Sequence, residues 1–148
     1  MSVNILEKRV AEVSDLPVKN PDGSPMMDEK SNAVTATVFG PGTKIWQTAD
    51  AHRRRKAIKR SREANGKYEA SVDRETEDQI EFLCTITKSF NNLDYPGVQG
   101  DKETVKAVYN DDLLGFIRDH VDDDTKTWEN FMRASQMVSP STSDNLPG

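Results

Sequence analysis

The hydrophobic positions of this chain fall into a few short patterned runs separated by long polar stretches. Residues 34–39, VTATVF, are β-branched and alternate in polarity, which predicts a strand. Gly40-Pro41-Gly42 ends it, and Thr43 is placed to cap a helix running to about residue 64, with Asn65-Gly66 as its stop. A second helix is predicted over about 73–90, with Ile80, Leu83, Cys84 and Thr87 on one face and Phe82, Ile86 and Phe90 beside it. Its first turns hold Asp73, Glu75, Glu77 and Asp78, where the helix dipole favours negative charge. Residues 91–100 read as a loop, and Asp101 is expected to cap a short helix carrying Val105, Val108 and Tyr109. The strongest pattern is Ile117, Val121, Asp124, Trp128, Phe131 and Ser135, in alternating steps of four and three, one face of a helix over about 113–134.

These elements predict a mainly α fold: a small helical domain with one or two short N-terminal β-strands, α+β at the margin, and flexible tails. The domain spans 33–135. Residues 1–32 are expected to be an N-terminal arm, in which 16–27 (LPVKNPDGSPMM) is either a short docked hairpin turning at Pro-Asp-Gly or a mobile segment. Residues 136–148 are expected to be a disordered tail.

Composition changes this picture by thinning the core. Of 148 residues, 34% are hydrophobic and 30% charged, and all the aromatics lie between Phe39 and Phe131. Leu, Ile, Val and Phe make up about a fifth of the chain, near the level at which composition begins to favour disorder. No run of about 18 apolar residues suggests a membrane span, and the N-terminal residues carry charge where a secretory signal would be apolar. Cys84, the single cysteine, can form neither an internal disulfide nor a cysteine-based zinc site, so a soluble protein of a reducing compartment is expected.

Charge changes it more. The net charge of −5 hides a block of +7 over 44–67 against −5 over 68–82 and −5 over 101–130. The block centres on Arg53, Arg54, Arg55, Lys56, Lys59, Arg60 and Arg62, and like pairs such as Arg55 with Lys59 each cost an isolated helix roughly 0.2–0.5 kcal/mol. An anionic partner must offset this. One reading is phosphate binding by a nucleic-acid regulator. The other is internal compensation or docking on an acidic protein, which fits the absence of interleaved aromatics and of a glycine-rich phosphate loop.

Candidate chemistry adds little. Asp122-Asp123-Asp124 lacks the glycine and terminal Glu of a calcium loop and reads as a solvated helix face. His120 and Asp124 stand one turn apart, but His52 and His120 are the only histidines, so no metal site is predicted. Cys84 sits on an apolar face among acids, where nothing would activate its thiol. No Gly-x-Ser-x-Gly occurs, and no carboxylate pair is set in apolar surroundings. No catalytic residue, metal or cofactor is predicted, and a non-enzymatic protein is expected. The Trp128, Phe131, Met132 and Met137 cluster reads as core, as a partner-binding face, or as some of each.

Four segments in order carry a resemblance: DLPVKNPDGSPM at 15–26, VTATVFGPGTKIWQTADAHRRRKAIKR at 34–60, EFLCTITKSFNNLDYPG at 81–97 and VKAVYNDDLLGFIRDHVDDDTKTWENF at 105–131. The chain resembles the small tail assembly chaperones of long-tailed, siphovirus-like bacteriophages. Phe116, Ile117, Arg118, Val121, Trp128, Asn130 and Phe131 look like that family's ending, a Phe-Ile-Arg-x-x-Val helix followed by an aromatic-rich turn. The resemblance implies a protein of the host bacterial cytoplasm that coats the tape measure protein, helps recruit tail tube subunits and is absent from the finished virion. The candidate partner-binding residues are Phe116, Ile117, Val121, Trp128, Phe131 and Met132, and the candidate electrostatic contacts are the seven cations of the basic block named above. Opposite charge patches also favour self-association of copies. A structural virion protein, for tail or head completion, is the other assembly role to weigh, beside the nucleic-acid regulator.

Overall fold

A computed structural model of the chain describes residues 2–63 and 68–144, with side chains placed at 2–62 and 74–138. The element order is β1 (Val13–Pro17), β2 (Thr35–Phe39), α1 (Lys44–Glu63), α2 (Tyr68–Ile86), β3 (Thr87–Asn91), α3 (Asp101–Asn110), α4 (Gly115–Thr125) and α5 (Trp128–Asp144). The fold is mainly helical with a small antiparallel sheet in the order β1-β2-β3.

The sheet has one apolar and one polar face, as strand alternation requires. Leu16, Ala36 and Phe90 are paired across the three strands and buried, and Val38 stands opposite Thr87 beyond a bulge. The other face carries Asp15, Thr35, Thr37 and Asn91. Thr37 Oγ1 donates to Asp15 Oδ1 at 2.6 Å, and Asn91 Nδ2 donates to the hydroxyls of Thr35 and Thr37 at 2.9 Å each. On the apolar face, Leu16, Val38, Leu83, Ile86, Val108, Tyr109, Ile117, Val121 and Phe131 are almost wholly enclosed. Tyr109 keeps its hydroxyl satisfied by Thr87 Oγ1 at 2.8 Å, and burial pushes its phenol far above the usual range. The helices α2, α3 and α5 pack against this sheet, α4 packs on those three helices, and α1 packs on α2.

Thr43 caps α1 as expected: its Oγ1 accepts from Trp46 N at 3.2 Å. The expected stop at Asn65-Gly66 lies outside the described residues. Five other expectations are corrected. The segment 1–32 is not a separate arm, because β1 belongs to the sheet and Leu16 and Val18 belong to the core; of the two forms expected for 16–27, the docked hairpin is the one present, with Lys19 bridged to Pro25. Backbone bonds from Val18 N to Val34 O, Met26 N to Val18 O and Val34 N to Met26 O knit 18–34 onto β2. The sheet has three strands rather than one or two. The second helix ends at Ile86 instead of running to 90, and β3 follows it with no loop. Asp101 lies inside the first turn of α3, whose cap is Gly100, held at φ 89°, where glycine carries no steric cost. Finally, the tail expected from 136 begins as helix: α5 continues to Asp144, and only 145–148 lie outside the described residues.

The helix predicted over 113–134 is two helices and a preceding 3-10 turn. The break falls after Thr125. Thr127 Oγ1 accepts from Asn130 N at 3.0 Å, which starts α5 afresh, and Asn130 Nδ2 reaches back to Asp123 O at 3.0 Å. This clasp turns α5 across α4, so that Phe131 and Ala134 meet the core while Trp128 swings to the surface.

Candidate interaction surfaces

The residues singled out for partner binding divide between two fates. Ile117, Val121 and Phe131 are buried, and Phe116 is half-buried against the same core. Phe131 packs so closely that a Cβ on Gly40 would lie 2.7 Å from its ring carbons. Arg118 donates to Tyr109 O at 3.1 Å and pairs with Asp112 at 3.3 Å, tying α4 to the end of α3. The Phe-Ile-Arg-x-x-Val segment is therefore occupied in building the domain. Trp128 and Met132 are not: they are 53% and 44% exposed, one turn apart on one flank of α5. The Trp128 ring lies over Gly42, where an added Cβ would sit 3.1 Å from it. Met137, also half-exposed, is nine residues beyond Trp128, about two and a half turns on, and so on the opposite flank.

The basic helix is likewise divided. Its inner face is neutralised by acids from α2 and α4. Arg53 pairs with Asp122 at 3.0 Å and with Asp50 at 3.4 Å, and its guanidinium lies 3.8 Å from the Phe82 ring centroid. Lys56 donates to Glu81 at 2.7 Å, and Arg60, itself buried, pairs with Asp78. His52 Nε2 lies 3.3 Å from Glu81, and the hydrogen bond from Lys56 holds the Glu81 carboxyl below its usual range. Trp46 packs edge-on against Phe82, with centroids 5.8 Å apart, beneath this charged layer. Internal compensation is thus what most of the predicted contact residues do. Arg54 is more exposed and pairs with Asp50 at 3.0 Å. Arg55, Lys59 and Arg62 are exposed and, among the described residues, have no acid within ion-pair distance.

The acidic run is not a solvated face, contrary to its sequence reading. Asp122 is buried, accepting from Arg53 on one oxygen and from Gln79 at 3.1 Å on the other. Asp124 is enclosed beside Lys19 at 3.2 Å, and burial pushes its carboxyl up against the pull of that ammonium. Asp123 alone of the three is exposed. Sequence reasoning missed Asp122, Gln79 and Lys19 as joints of the fold. The signal available was charge complementarity between the +7 and −5 segments, without a way to say which pairs meet.

Chemistry elsewhere is sparse. Among the described residues no group of three His, Cys, Asp or Glu side chains can hold a metal ion. Cys84 is half-buried, and burial raises its thiol above the usual range, as expected for an unactivated cysteine. No described helix is long and apolar enough to cross a membrane. One open hollow of about 520 Å³ is mostly apolar, formed by Lys44, Ile45, Thr48, Ala49 and His52 of α1 with Thr85 of α2. No known protein family, curated protein or solved structure matches the chain.

Proposed function

We propose that this protein is a non-enzymatic assembly factor that works by binding other proteins, acting as a tail assembly chaperone of a long-tailed bacteriophage. In this reading it engages the tape measure protein, helps recruit tail tube subunits in the host cytoplasm, and is left out of the finished virion. The observation that supports it best is the surface of α5. Phe131 and Ala134 anchor this helix in the core, yet Trp128 and Met132 stand half-exposed beside each other. An aromatic and a methionine on a rigid, anchored helix make an adaptable apolar contact for a helical client. Their neighbours in the resemblance, Phe116, Ile117, Val121 and Phe131, support the contact by fixing the helix that carries it.

Co-expression with tape measure segments tests the reading. The protein is expected to keep them soluble and to co-purify with them. Trp128→Ala with Met132→Ala should abolish co-purification while leaving the circular dichroism spectrum unchanged. Segments that precipitate equally with and without the protein would sink the proposal. Mass spectrometry of purified particles separates the chaperone from a structural virion protein, since only the latter should be present in them.

A further inference from the structure

One flank of α1, along the rim of its contact with α2, carries a second surface that the α5 contact does not use. Ile45, Thr48, His52, Arg55, Lys59 and Arg62 follow one another in steps of three and four, so they form one continuous stripe along the helix. The stripe has two halves. Its N-terminal half, with Ile45 43% exposed, borders the apolar hollow of about 520 Å³ between α1 and Thr85 of α2. Its C-terminal half is the three cations that no acid among the described residues neutralises, and the 55% exposed Ile58 stands beside them. At a rise of 1.5 Å per residue, Thr48 and Arg62 are about 21 Å apart.

From this juxtaposition we infer that this flank of α1 is a docking stripe for an acidic amphipathic helix of another protein. The client's apolar residues fill the hollow, and its carboxylates, two to four turns away, meet Arg55, Lys59 and Arg62. Three features favour such a client over a nucleic acid. The stripe repeats at the spacing by which two helices pack side by side. Its apolar half would gain nothing from a phosphate backbone. Among the described side chains no aromatic stands among the cations to stack a base, and Trp46 is turned inward onto Phe82. The like-charge repulsion along Arg55, Lys59 and Arg62 also gives the free protein a reason to accept anionic groups there and not on the inner face, where Arg53, Lys56 and Arg60 are already paired. The inference stands apart from the tail-assembly reading, since it concerns a different helix and a client defined only by its chemistry.

The test uses the full-length protein and synthetic probes. One is a helical peptide of about seven turns with leucines at three-four spacing in its first half and glutamates at the same spacing in its second. Its counterpart carries lysines for the glutamates, and a single-stranded RNA of equal length is the third. The glutamate peptide is expected to bind, and Arg55→Glu with Lys59→Glu and Arg62→Glu should weaken it at least tenfold and transfer binding to the lysine peptide. Ile45→Asp should weaken the glutamate peptide on the natural protein and the lysine peptide on the charge-reversed one. If the charge-reversed protein loses its circular dichroism spectrum, the three glutamine replacements take its place, with the same loss expected. No binding of the glutamate peptide at low salt, or binding unchanged by the reversal, overturns the inference. So does tighter binding of the RNA, which would assign the stripe to nucleic acid.

Discussion

The two halves of the molecule are held together in different ways. The sheet with α3, α4 and α5 is closed by apolar burial around Leu16, Val38, Tyr109, Ile117, Val121 and Phe131. α1 is held on the rest mainly by charge, with Arg53, Lys56 and Arg60 facing Asp78 and Glu81 of α2 and Asp122 of α4 over a thin apolar contact of Trp46 with Phe82, while α2 itself sends Leu83 and Ile86 into the core. A chain with few large apolar residues can thus complete a fold by concentrating them in one half and pairing ions in the other. Moderate salt does not weaken apolar burial, whereas part-exposed ion pairs are screened. The halves should therefore respond differently to the same perturbation.

The largest effect is expected in the apolar half. Phe131→Ala should lower the free energy of unfolding by about 3 kcal/mol in urea titration, since a fully enclosed ring leaves a cavity against Gly40 and the sheet. Next is the joint between the halves. Asp122→Ala leaves Arg53 and Gln79 without their shared acceptor and should cost about 2 kcal/mol. A double-mutant cycle with Arg53→Ala should show coupling, and additive losses would mean that the pair contributes nothing of its own. Smaller again is the salt response. Hydrogen exchange in α1 should accelerate on raising salt from 0.05 to about 0.5 M while α4 and β2 stay protected; uniform acceleration would erase the distinction drawn above.

The smallest effect concerns Asp124. Burial sets its folded pKa above the unfolded one, so the folded state holds the proton more tightly. The stabilisation this confers is present below the unfolded value and is lost as pH rises through the folded value. Asp124→Asn should accordingly raise Tm slightly near pH 7, and the gain should shrink toward about pH 4, as thermal melts at the two pH values would show. A fall in Tm at pH 7 would mean that the Lys19 contact outweighs the burial cost.

What the sequence made legible follows the same division. The strand at Thr35–Phe39, the cap at Thr43 and the short helix carrying Val105, Val108 and Tyr109 rest on local patterns and were readable. β3 was not, because Ile86 and Phe90 are four apart and continue a helical face as well as they begin a strand. β1 is a short stretch of mixed polarity ending in a proline, and only pairing with β2 makes it a strand. The break after Thr125 was hidden by the regular three-four spacing across it, which Thr127 and Asn130 interrupt with side-chain bonds that periodicity does not register. The division of surface residues was the least legible. Trp128 and Phe131, or Arg53 and Arg55, differ in role only through where the neighbouring helix lies.

The placement of the α1–α2 hairpin has a consequence for the rate of folding. β2 and β3 are neighbours in the sheet, yet the whole hairpin lies between them in the chain, and β3 starts where α2 stops. Closing a loop of about fifty residues costs entropy before any strand bond forms, unless the two helices have already met. If the ion pairs between α1 and α2 form before the sheet, they shorten that search by bringing the ends of the loop together. Refolding at high salt should then slow by more than the loss of stability alone requires, because the electrostatic attraction acts on the path to the sheet as well as on the finished fold.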